Sequence, residues 1–497
     1  MPQPARYLAI DLGAESGRAV VGELQQGRLT LAPLHRFANG PVRVFDGLFW
    51  DVLRLWSEIQ AGLHAYRRTY RAPLDGIGLD TWGVDYALLG AGGELLANPR
   101  HYRDPRNEAM LPLAQQRVPR EEIFEQTGIQ FMQLNTLYQL LAMREHGDAA
   151  LGQARTLLMM PDLFNYWLTG VMTSEFTVAT TSQCYNPRTG QWALDLLGRL
   201  DLPTDILPPL LPPGRVLGPL ESNLAAETGL AGTPVILPAT HDTGSAVAAV
   251  PAHGEDFIYI SSGTWSLIGI EVPQPVITPE ALAFNFTNEG GVGDTFRVLK
   301  NVMGLWLVQE CRRAWAQEGV ELSYDQLTAM AQEAPAFTAL VEPDATEFIA
   351  PGGMPQRIQD FCRRTGQPVP QTRGEILRCA LESLALKYRW AVDKLETMAG
   401  RPLKVIHIVG GGSQNSLLCQ FTADAAQRPV VAGPIEATAI GNVMMQAVAR
   451  GHIVSIAEGR RIVERSFESR HYAPGDADQW DRAYARFLEI HEATEAL

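Results

Sequence analysis

Apolar and polar positions in the first hundred residues alternate in a way that predicts strands followed by a helix. Strand patterns cover residues 7–10, 18–23, 76–79 and 86–89. Between them, residues 51–68 place apolar side chains at helical spacing, which predicts an amphipathic helix. Strands that alternate with helices indicate an α/β architecture with a mixed sheet.

The second half of the chain has its own periodic segments. They predict helices over residues 301–315, 374–398, 438–450 and 480–496, and a strand over residues 405–409. The small apolar residues 245–250 predict a crossover helix, and Gly451 is suited to end the helix over 438–450. The Pro-rich stretch 202–219 is typical of an irregular surface excursion. Because the sequence shows no repeat of 20–50 residues, solenoid folds are excluded.

Composition narrows the class of protein. With 497 residues, 46% hydrophobic and 19% charged, the chain predicts a globular protein of two or three domains. The net charge of −14 and the lack of a basic stripe argue against a nucleic-acid partner. Five scattered cysteines without a C-x-x-C pair argue against zinc and favour a reducing compartment. Without a leader or a long apolar segment in the sequence, we expect a soluble, cytoplasmic protein and no membrane partner.

Two short segments carry the same chemical pattern. Residues 9–18 have the sequence AIDLGAESGR, and residues 259–266 have the sequence YISSGTWS. Each predicts a tight β-hairpin whose glycines let backbone N–H groups come close to a ligand. Such donors beside Ser and Thr hydroxyls form an anion site that suits phosphate. Two phosphate hairpins in two halves indicate a nucleotide held in a cleft between two related domains.

Two aspartates are candidates for the chemistry. Asp11 follows an apolar strand next to the first hairpin, where a carboxylate can hold Mg²⁺ directly or through water. A turn-capping role is the alternative, but Ser16, Gly17 and Arg18 favour a phosphate site because they supply donors and a cation. Asp242 falls at a predicted strand-to-helix junction, where it can accept the proton of a hydroxyl during phosphoryl transfer. Its alternative role is a helix N-cap.

Further motifs suggest where the ligands bind. Residues 410–412 are three consecutive glycines after a strand, which suits close approach of adenine and ribose, although a plain tight turn fits equally. Residues 80–85 (DTWGVD) predict strand, turn and strand, with an indole beside polar groups as in many sugar sites. A buried Trp with solvated Asp residues is the alternative. Asn135 is a further candidate for binding a sugar hydroxyl. P-loop, protein-kinase and H-E-x-x-H motifs are absent from the sequence.

Over residues 8–450 the chain resembles the FGGY carbohydrate kinases, of the sugar-kinase/heat-shock/actin superfamily. The resemblance is carried by residues 11–18, 80–85, 128–131, 135–140, 241–243, 261–266, 288–291, 299–307 and 409–415. It implies an α/β fold of two actin-like (ribonuclease H-like) domains with mixed sheets and a catalytic cleft between them. The implied domains are 1–249 for sugar binding and the catalytic Asp, 250–452 for ATP binding, and 453–497 as a helical tail.

The resemblance also implies roles for residues. Asp242 corresponds to the catalytic base and Asp11 to the carboxylate that organises Mg²⁺. The ATP-binding set implied by the family comprises Ala14, Glu15, Ser16, Gly17, Arg18, Thr264, Asn301, Gln309 and Gly411, to which the glycine and amide chemistry adds Gly13, Gly263, Gly412 and Asn415. The sugar-binding set comprises Gly83, His241, Asp242 and Thr243 from the family, with Trp82, Asp85 and Asn135 from their chemistry. Glu15, where some relatives have a small hydroxyl residue, departs from the family pattern without removing a catalytic group.

The activity that follows from the resemblance is ATP-dependent phosphorylation of a ketose. L-Rhamnulose is the expected sugar, O1 its acceptor hydroxyl and Mg²⁺ the cofactor, with domain closure excluding water. The same chemistry on L-fuculose or L-xylulose is an alternative, and a chaperone-like ATPase is a more remote one. A glycosidase using Asp80 and Asp85 as its carboxylate pair is a third alternative. As partners we expect only the sugar and ATP, with the protein a monomer or homodimer.

Overall fold

The computed structural model describes residues 3–475 and 477–495, and these form two compact units. The first unit comprises the chain up to Pro251, with Glu271–Val298 and Ala437–Ser466. The second comprises Ala252–Ile270, Leu299–Glu436 and the chain from Phe467 onward. Each unit is therefore assembled from separated segments. The continuous domains 1–249, 250–452 and 453–497 stay a prediction about the family's domain boundaries.

Strands are concentrated in two large sheets. The strands of the described residues are β1 (Ala5–Leu12), β2 (Ser16–Gln25), β3 (Arg28–Ala38), β4 (Val42–Val44), β5 (Gly47–Phe49), β6 (Gly76–Thr81), β7 (Tyr86–Leu89), β8 (Thr156–Met159), β9 (Ser174–Glu175), β10 (Tyr185–Asn186), β11 (Gln191–Trp192), β12 (Leu210–Leu211), β13 (Arg215–Pro219), β14 (Pro234–Leu237), β15 (Phe257–Ser262), β16 (Ser266–Val272), β17 (Thr287–Gly290), β18 (Phe296–Val302), β19 (Val405–Val409), β20 (Val430–Ala432) and β21 (Arg470–Tyr472).

Helices occupy most of the connections between these strands. The α-helices of the described residues are α1 (Val52–Thr69), α2 (Met110–Arg117), α3 (Arg120–Thr127), α4 (Thr136–Glu145), α5 (Ala149–Gln153), α6 (Met160–Thr169), α7 (Phe176–Ala179), α8 (Leu194–Arg199), α9 (Ser222–Thr228), α10 (Asp242–Ala248), α11 (Pro279–Ala283), α12 (Trp306–Gln317), α13 (Tyr324–Glu333), α14 (Met354–Arg364), α15 (Arg373–Ala399), α16 (Ser416–Ala426), α17 (Ala437–Ala449), α18 (Ile456–Ser466) and α19 (Ala477–Glu495).

The first unit is built on a sheet of order β13-β14-β6-β1-β2-β3. β1, β2 and β3 form an antiparallel meander, while β6 and β14 run parallel to β1 on its other side. Helix α1 begins after Asp51, whose side chain accepts the Arg54 N–H, and buries Leu55, Ile59 and Leu63 in the core of this sheet. Because β1, β6 and β14 are parallel, their carboxyl ends lie at the same edge of the sheet.

The second large sheet repeats this topology. Its order is β17-β18-β16-β15-β19-β20-β21, and the boundary between the units passes through β16 and β18. β15 and β16 form the hairpin, β19 and β20 run parallel to β15, and β21 closes the edge antiparallel, as β13 does in the first sheet. The repeated hairpin explains why one pattern of glycine and hydroxyl residues occurs twice in the sequence.

Most predicted elements are confirmed within a few residues, and two expectations were wrong. Asn301 lies at the end of β18, and the helix predicted from residue 301 begins only at Trp306. The stretch 202–219 contains β13, which pairs with β14 as a sheet edge instead of forming an irregular excursion. Gly451 has a φ of +72°, as expected of a residue that ends a helix. Among the described residues, no helix is long and apolar enough to cross a membrane.

Candidate active site

The carboxyl ends of three parallel strands bring acidic residues together in the first unit. In the register of β1 and β6, Asp11 lies opposite Asp80. After the end of β14, His241 forms a parallel β-bridge with Thr81. The Thr81 N–H donates to the Thr240 carbonyl at 2.9 Å. The next residue is Asp242, the first residue of α10. Because parallel strands end at the same sheet edge, residues far apart in sequence meet at one site.

The three aspartates have different surroundings. Asp11 accepts two hydrogen bonds from Arg18, at 2.6 and 2.9 Å from Nη2 and Nε, and its side chain is 6% exposed. Asp80 is fully buried and accepts from Asn442 Nδ2 at 2.5 Å. Asp242 keeps 28% of its side chain exposed, and its Oδ1 accepts the Thr243 N–H at 2.5 Å. Asp242 is therefore the carboxylate that a substrate can reach most easily.

Burial and neighbouring charge affect the basicity of these groups. Burial, and then the negative charge of Asp11, hold the pKa of Asp80 well above its ordinary value. Burial also raises the pKa of Asp242; His241 opposes this shift, and Asp11 adds to it. A raised pKa makes a carboxylate a better proton acceptor, as general-base chemistry requires. Asp242 thus combines accessibility with increased basicity.

His241 Nδ1 contacts two residues to which the sequence motifs assign no role. Arg297 Nη2 lies 3.1 Å from His241 Nδ1, and Glu289 Oε2 lies 3.3 Å from the same nitrogen. Arg297 is fully buried and also donates from Nε to the Gly290 carbonyl at 2.8 Å. Glu289 belongs to the 288–291 motif, which was matched without a role. Arg297 lies on β18 and carries no local signal of contact with His241.

Asp85 sits within a group of aromatic residues. Its Oδ2 accepts from Trp50 Nε1 at 2.5 Å and Trp82 Nε1 at 3.0 Å, and its Oδ1 accepts from Gln139 Nε2 at 2.8 Å. The Trp50 and Trp82 ring centroids are 4.0 Å apart. Burial raises the pKa of Asp85 to about 7, although these hydrogen bonds oppose the shift. Asp85 is fully buried and both of its oxygens accept hydrogen bonds. This geometry favours a role in orienting the two indole rings, and it disfavours direct contact with a sugar.

The other sugar-binding candidates lie around the turn between β6 and β7. Gly83 is partly exposed there, and a Cβ on it would lie 3.0 Å from Thr181 Oγ1. Val84 has a φ of +66°. Its N–H donates to Thr181 Oγ1, and its carbonyl accepts from the Thr136 hydroxyl. Asn135 is buried and donates to the Gln130 carbonyl and to Gln183 Oε1, both at 2.8 Å. A β-branched residue at positive φ stores strain, which is common at ligand sites.

The first predicted hairpin is present as the turn between β1 and β2, and its binding of phosphate stays a prediction. Gly13 N–H donates to the Ser16 carbonyl at 2.9 Å, and Asn39 Nδ2 donates to the Gly13 carbonyl at 2.8 Å. Gly17 packs closely on Phe37, since a Cβ there would lie 2.2 Å from the end of the Phe37 ring and would displace it. Ala14 and Glu15 are partly exposed at the turn between these contacts. The turn is fixed by its own hydrogen bonds while its outer face stays accessible.

The second hairpin turn, between β15 and β16, is fixed to the start of α12 within the second unit. Gly263 N–H donates to the Trp265 carbonyl at 2.8 Å. Trp306 N–H donates to the Thr264 carbonyl, and Leu305 N–H to the Gly263 carbonyl, each over 3.1 Å. A glycine precedes α12 because a Cβ on Gly304 would lie 2.4 Å from Ser266 Oγ.

The triple glycine packs beside this hairpin. A Cβ on Gly412 would lie 2.0 Å from Ser262 Oγ, whereas a Cβ on Gly411 would meet open space. Gly410 has a φ of +84°, a conformation that favours glycine. Gly411 is exposed, so its backbone is the part of the loop available to a ligand. Asn415 caps α16 by accepting the Leu418 N–H at 2.9 Å.

Two predicted nucleotide residues come from β18 and α12. Asn301 is partly exposed at the end of β18. Gln309, one turn into α12, has an Oε1 that is buried without a hydrogen-bond partner in the part of the chain that the structure describes. An unpaired buried amide oxygen is costly unless a ligand or water supplies a donor. Among residues 3–475 and 477–495, no group of three or more His, Cys, Asp or Glu forms a metal-binding cluster.

Comparison with known proteins identifies the family. A model of the N-terminal domain of the FGGY family of carbohydrate kinases matches residues 6–249, and one of its C-terminal domain matches residues 258–450. The chain is 45% identical to a rhamnulokinase from Bacteroides thetaiotaomicron over 97% of its own length and 98% of that protein. It is 42% identical to a rhamnulokinase from Pectobacterium atrosepticum, covering 98% of this chain and 96% of that one.

The chain belongs to the FGGY family of carbohydrate kinases.

Solved structures agree with this family assignment at the level of the fold. A ligand-bound xylulose kinase from Lactobacillus acidophilus superposes with a TM-score of 0.83 at 18% identity, covering 99% of both chains. Plasmodium falciparum glycerol kinase with ADP gives 0.78 at 15% identity, covering 99% of this chain and 98% of that one. The predicted α/β fold with two actin-like domains and mixed sheets is confirmed. As an FGGY member, the protein is a sugar kinase, and ATP is its phosphoryl donor.

Proposed function

We propose that this sugar kinase phosphorylates O1 of L-rhamnulose, using Asp242 as the general base. The substrate is supported by the curated relatives, since several proteins 39–45% identical over nearly the full chain are named rhamnulokinases. The observation that carries the mechanism is the difference in exposure among Asp11, Asp80 and Asp242. Only Asp242 of these three combines an accessible carboxylate with a raised pKa.

The proposed step is an in-line phosphoryl transfer. The O1 hydroxyl gives its proton to a carboxylate oxygen of Asp242 while a bond forms between O1 and the γ-phosphorus. The bond from that phosphorus to the bridging oxygen of ATP breaks, so ADP leaves with its electron pair. Thr243 N–H donates to Asp242 Oδ1, and the second oxygen, Oδ2, is proposed to accept the proton. His241 lies beside Asp242, 3.5 Å from Nε2 to Oδ1, and limits its rotation.

The residues present fit a magnesium ion held largely by ATP. Mg²⁺ is commonly bound through one or two carboxylates together with substrate phosphates and water. Asp11 and Asp80 supply carboxylates at adjacent strand ends, and Asp80 Oδ1 is buried without a hydrogen-bond partner among the described residues. We propose Asp11 as the residue that holds the ion. When bound, Mg²⁺ would neutralise charge on the phosphates.

Each hairpin is proposed to bind phosphate, and the glycine loop of the second unit is proposed to contact the nucleotide. The turn residues 13–18 and 263–264 are proposed to bind phosphate oxygens. Within these turns, Gly13 and Gly263 shape the loop, because their N–H groups donate to the Ser16 and Trp265 carbonyls. Gly411 is proposed to lie against adenine or ribose, because its Cα faces open space. Asn301 and Gln309 are proposed to bind the nucleotide through their amides, which would give the buried Gln309 Oε1 a partner. The sugar is proposed to contact Trp82, Gly83, Asn135, His241 and Thr243.

The alternatives differ in how well the geometry supports them. A glycosidase would need two accessible carboxylates, but Asp80 and Asp85 are both fully buried. A chaperone-like ATPase would not need an accessible carboxylate beside an aromatic sugar site. Phosphorylation of another ketose would use the same catalytic groups as phosphorylation of L-rhamnulose. Measuring the activity on each sugar is therefore what distinguishes these two alternatives.

The experiment that tests this proposal identifies the product. The enzyme is incubated with MgATP and L-rhamnulose, and the product is analysed by ³¹P and ¹H NMR. We expect one phosphate ester coupled to the protons on C1, together with one ADP for each ester formed. An ester on another carbon would contradict the O1 assignment. ADP without a sugar phosphate would contradict the proposed acceptor.

A further inference from the structure

The second unit contains a buried ion network that no step of the proposed mechanism uses. It consists of Glu342, Asp344, Lys387 and His491. Lys387 Nζ lies 2.8 Å from Glu342 Oε1 and 3.3 Å from Asp344 Oδ2. Glu342 Oε2 lies 2.7 Å from His491 Nδ1. Lys387 is fully buried, and Glu342 and His491 are 1% and 7% exposed.

Several neighbours hold these charges in place. Burial alone would raise the pKa of Glu342, but the Lys387 charge and the His491 hydrogen bond hold it below its ordinary value. The Lys387 ammonium also lies 4.7 Å from the centre of the Trp390 ring. The His491 ring packs edge-on against Trp390 at 4.9 Å and stacks on Phe487. Glu342 is therefore a fixed carboxylate that depends on both Lys387 and His491.

One end of the buried ion network reaches the segment that begins α12. Asp344 Oδ1 accepts the Met303 N–H at 2.7 Å. Met303 is two residues after Asn301 and directly before Gly304, which packs on Ser266. Ser266 Oγ in turn lies 2.5 Å from the hydroxyl of Tyr388, the residue after Lys387. Neighbouring residues of α15 thus support both the 301–306 segment and the second phosphate hairpin.

The other end of the network reaches the C-terminal helix. His491 lies on α19, in the segment that the sequence reasoning described only as a helical tail. The path His491, Glu342, Lys387, Asp344, Met303 is continuous through hydrogen bonds and ion pairs. A shift of His491 would leave the carboxylate of Glu342 with one fewer donor in a buried place, which is unfavourable. The charges would then rearrange beside Asp344.

We propose that Lys387 and His491 are positioning residues for nucleotide binding, acting through Asp344 on the 301–306 segment. This inference rests on the proposed nucleotide contacts of Asn301 and Gln309. It assigns the C-terminal helix a role in ATP affinity, whereas the residues of the sugar site belong to the first unit. Loss of His491 should weaken nucleotide binding and leave sugar binding unchanged.

The test measures the Kd of MgADP by titration calorimetry in the full-length enzyme. His491→Phe keeps the ring packing but removes the donor to Glu342, and we expect Kd to rise about tenfold, the scale of one charge-assisted hydrogen bond. His491→Gln supplies a new N–H donor and should recover most of the affinity. His471→Phe, at an exposed histidine of β21, is the matched control and should bind like wild type. KM for L-rhamnulose should stay within about twofold in all three variants, because one interaction on the nucleotide side contributes little to sugar binding.

Lys387→Met is a second, stronger variant, with Lys404→Met at an exposed ion pair as its control. If Lys387→Met fails to fold, the His491 variants decide. Wild-type MgADP affinity in His491→Phe, even with a lowered Tm, would overturn the inference. The buried ion network would then stabilise the fold without affecting nucleotide binding. Failure of the wild-type enzyme to bind MgADP would instead overturn the proposed nucleotide contacts, and the inference with them.

Discussion

At the residue scale, the chemistry depends on differences among side chains of the same type. Three aspartates lie at neighbouring strand ends but have different surroundings. Asp11 pairs with Arg18, and Asp80 accepts a hydrogen bond from Asn442. Of the three, only Asp242 is accessible. The sequence motifs predict Asp242 as the base and Asp11 as the carboxylate that organises Mg²⁺, and both roles stay predictions. The sequence could not predict Asn442 as a partner of Asp80, because that contact joins residues 362 positions apart.

Replacing the base tests this difference directly. Asp242→Asn should lower kcat by about 10²–10⁴-fold, the usual contribution of a general base, with Kd for MgADP near wild type. The measurement is sugar-dependent ADP release in a coupled assay. Asp195→Asn, at an exposed residue of α8, is the matched control and should keep full activity. Wild-type turnover in Asp242→Asn would show that another group accepts the proton.

The pH dependence of the reaction follows from the same residue. A general base must be deprotonated, so kcat/KM for the sugar should fall as pH falls through the pKa of Asp242. Burial raises that pKa, so the acid limb should lie above the ordinary value of 3.8. The measurement is a pH–rate profile, with activity at pH 7.5 remeasured after each exposure. A rate that rises on acidification from neutral pH would contradict this assignment.

Asp85 makes a separate prediction about the aromatic group. In Asp85→Asn an amide nitrogen would face N–H donors from Trp50, Trp82 and Gln139, leaving at least one buried donor unpaired. We expect a loss of about 1–3 kcal/mol in the free energy of unfolding. KM for the sugar should rise more than KM for MgATP. Denaturant unfolding and steady-state kinetics measure both, with exposed Asp46→Asn as control.

Equal KM increases for sugar and MgATP in Asp85→Asn would contradict the placement of the aromatic group at the sugar site.

At the element scale, hairpins and strand ends were predictable because glycine, polar turn residues and alternating apolar positions occur locally. The start of α12 was not. Residues 299–303 form an apolar-rich run that fits a strand or a helix equally well, and the choice is made by packing of Gly304 on Ser266. Likewise, the edge strand β13 could not be predicted, because the Pro-rich residues around it are typical of irregular structure. The strand is stabilised by pairing with β14.

The glycine loop offers a matched pair of substitutions at this scale. Gly412→Ala would place a Cβ 2.0 Å from Ser262 Oγ and should cost about 1–3 kcal/mol of stability through overpacking. Gly411→Ala meets open space, so its stability should stay within about 0.5 kcal/mol of wild type. If Gly411 lies against the nucleotide, Gly411→Ala should still raise KM for MgATP. Thermal unfolding of the free enzyme and KM determination separate the two effects.

An unchanged KM for MgATP in Gly411→Ala would remove Gly411 from the nucleotide site, and an unchanged stability in Gly412→Ala would contradict the packing of the loop on the hairpin.

At the scale of the whole molecule, the same sheet topology occurs twice, which explains the repeated glycine-containing hairpin. The family assignment makes the protein a sugar kinase. The sequence predicted two related domains, but it could not show that each compact unit is built from separated segments. Helix α17, for example, follows the second sheet's β20 yet belongs to the first unit, where Gln446 donates to the Leu8 carbonyl. Such contacts depend on chain topology and leave no local pattern.

We propose that the enzyme transfers phosphate to L-rhamnulose in preference to other acceptors. The most direct test is ADP release with MgATP and L-rhamnulose, L-fuculose, L-xylulose, D-ribulose, D-xylulose or glycerol, with a blank that lacks sugar. We predict the highest kcat/KM for L-rhamnulose and little ADP release in the blank. A higher kcat/KM for another sugar would contradict the substrate, and ADP release independent of every sugar would contradict the proposed role of Asp242.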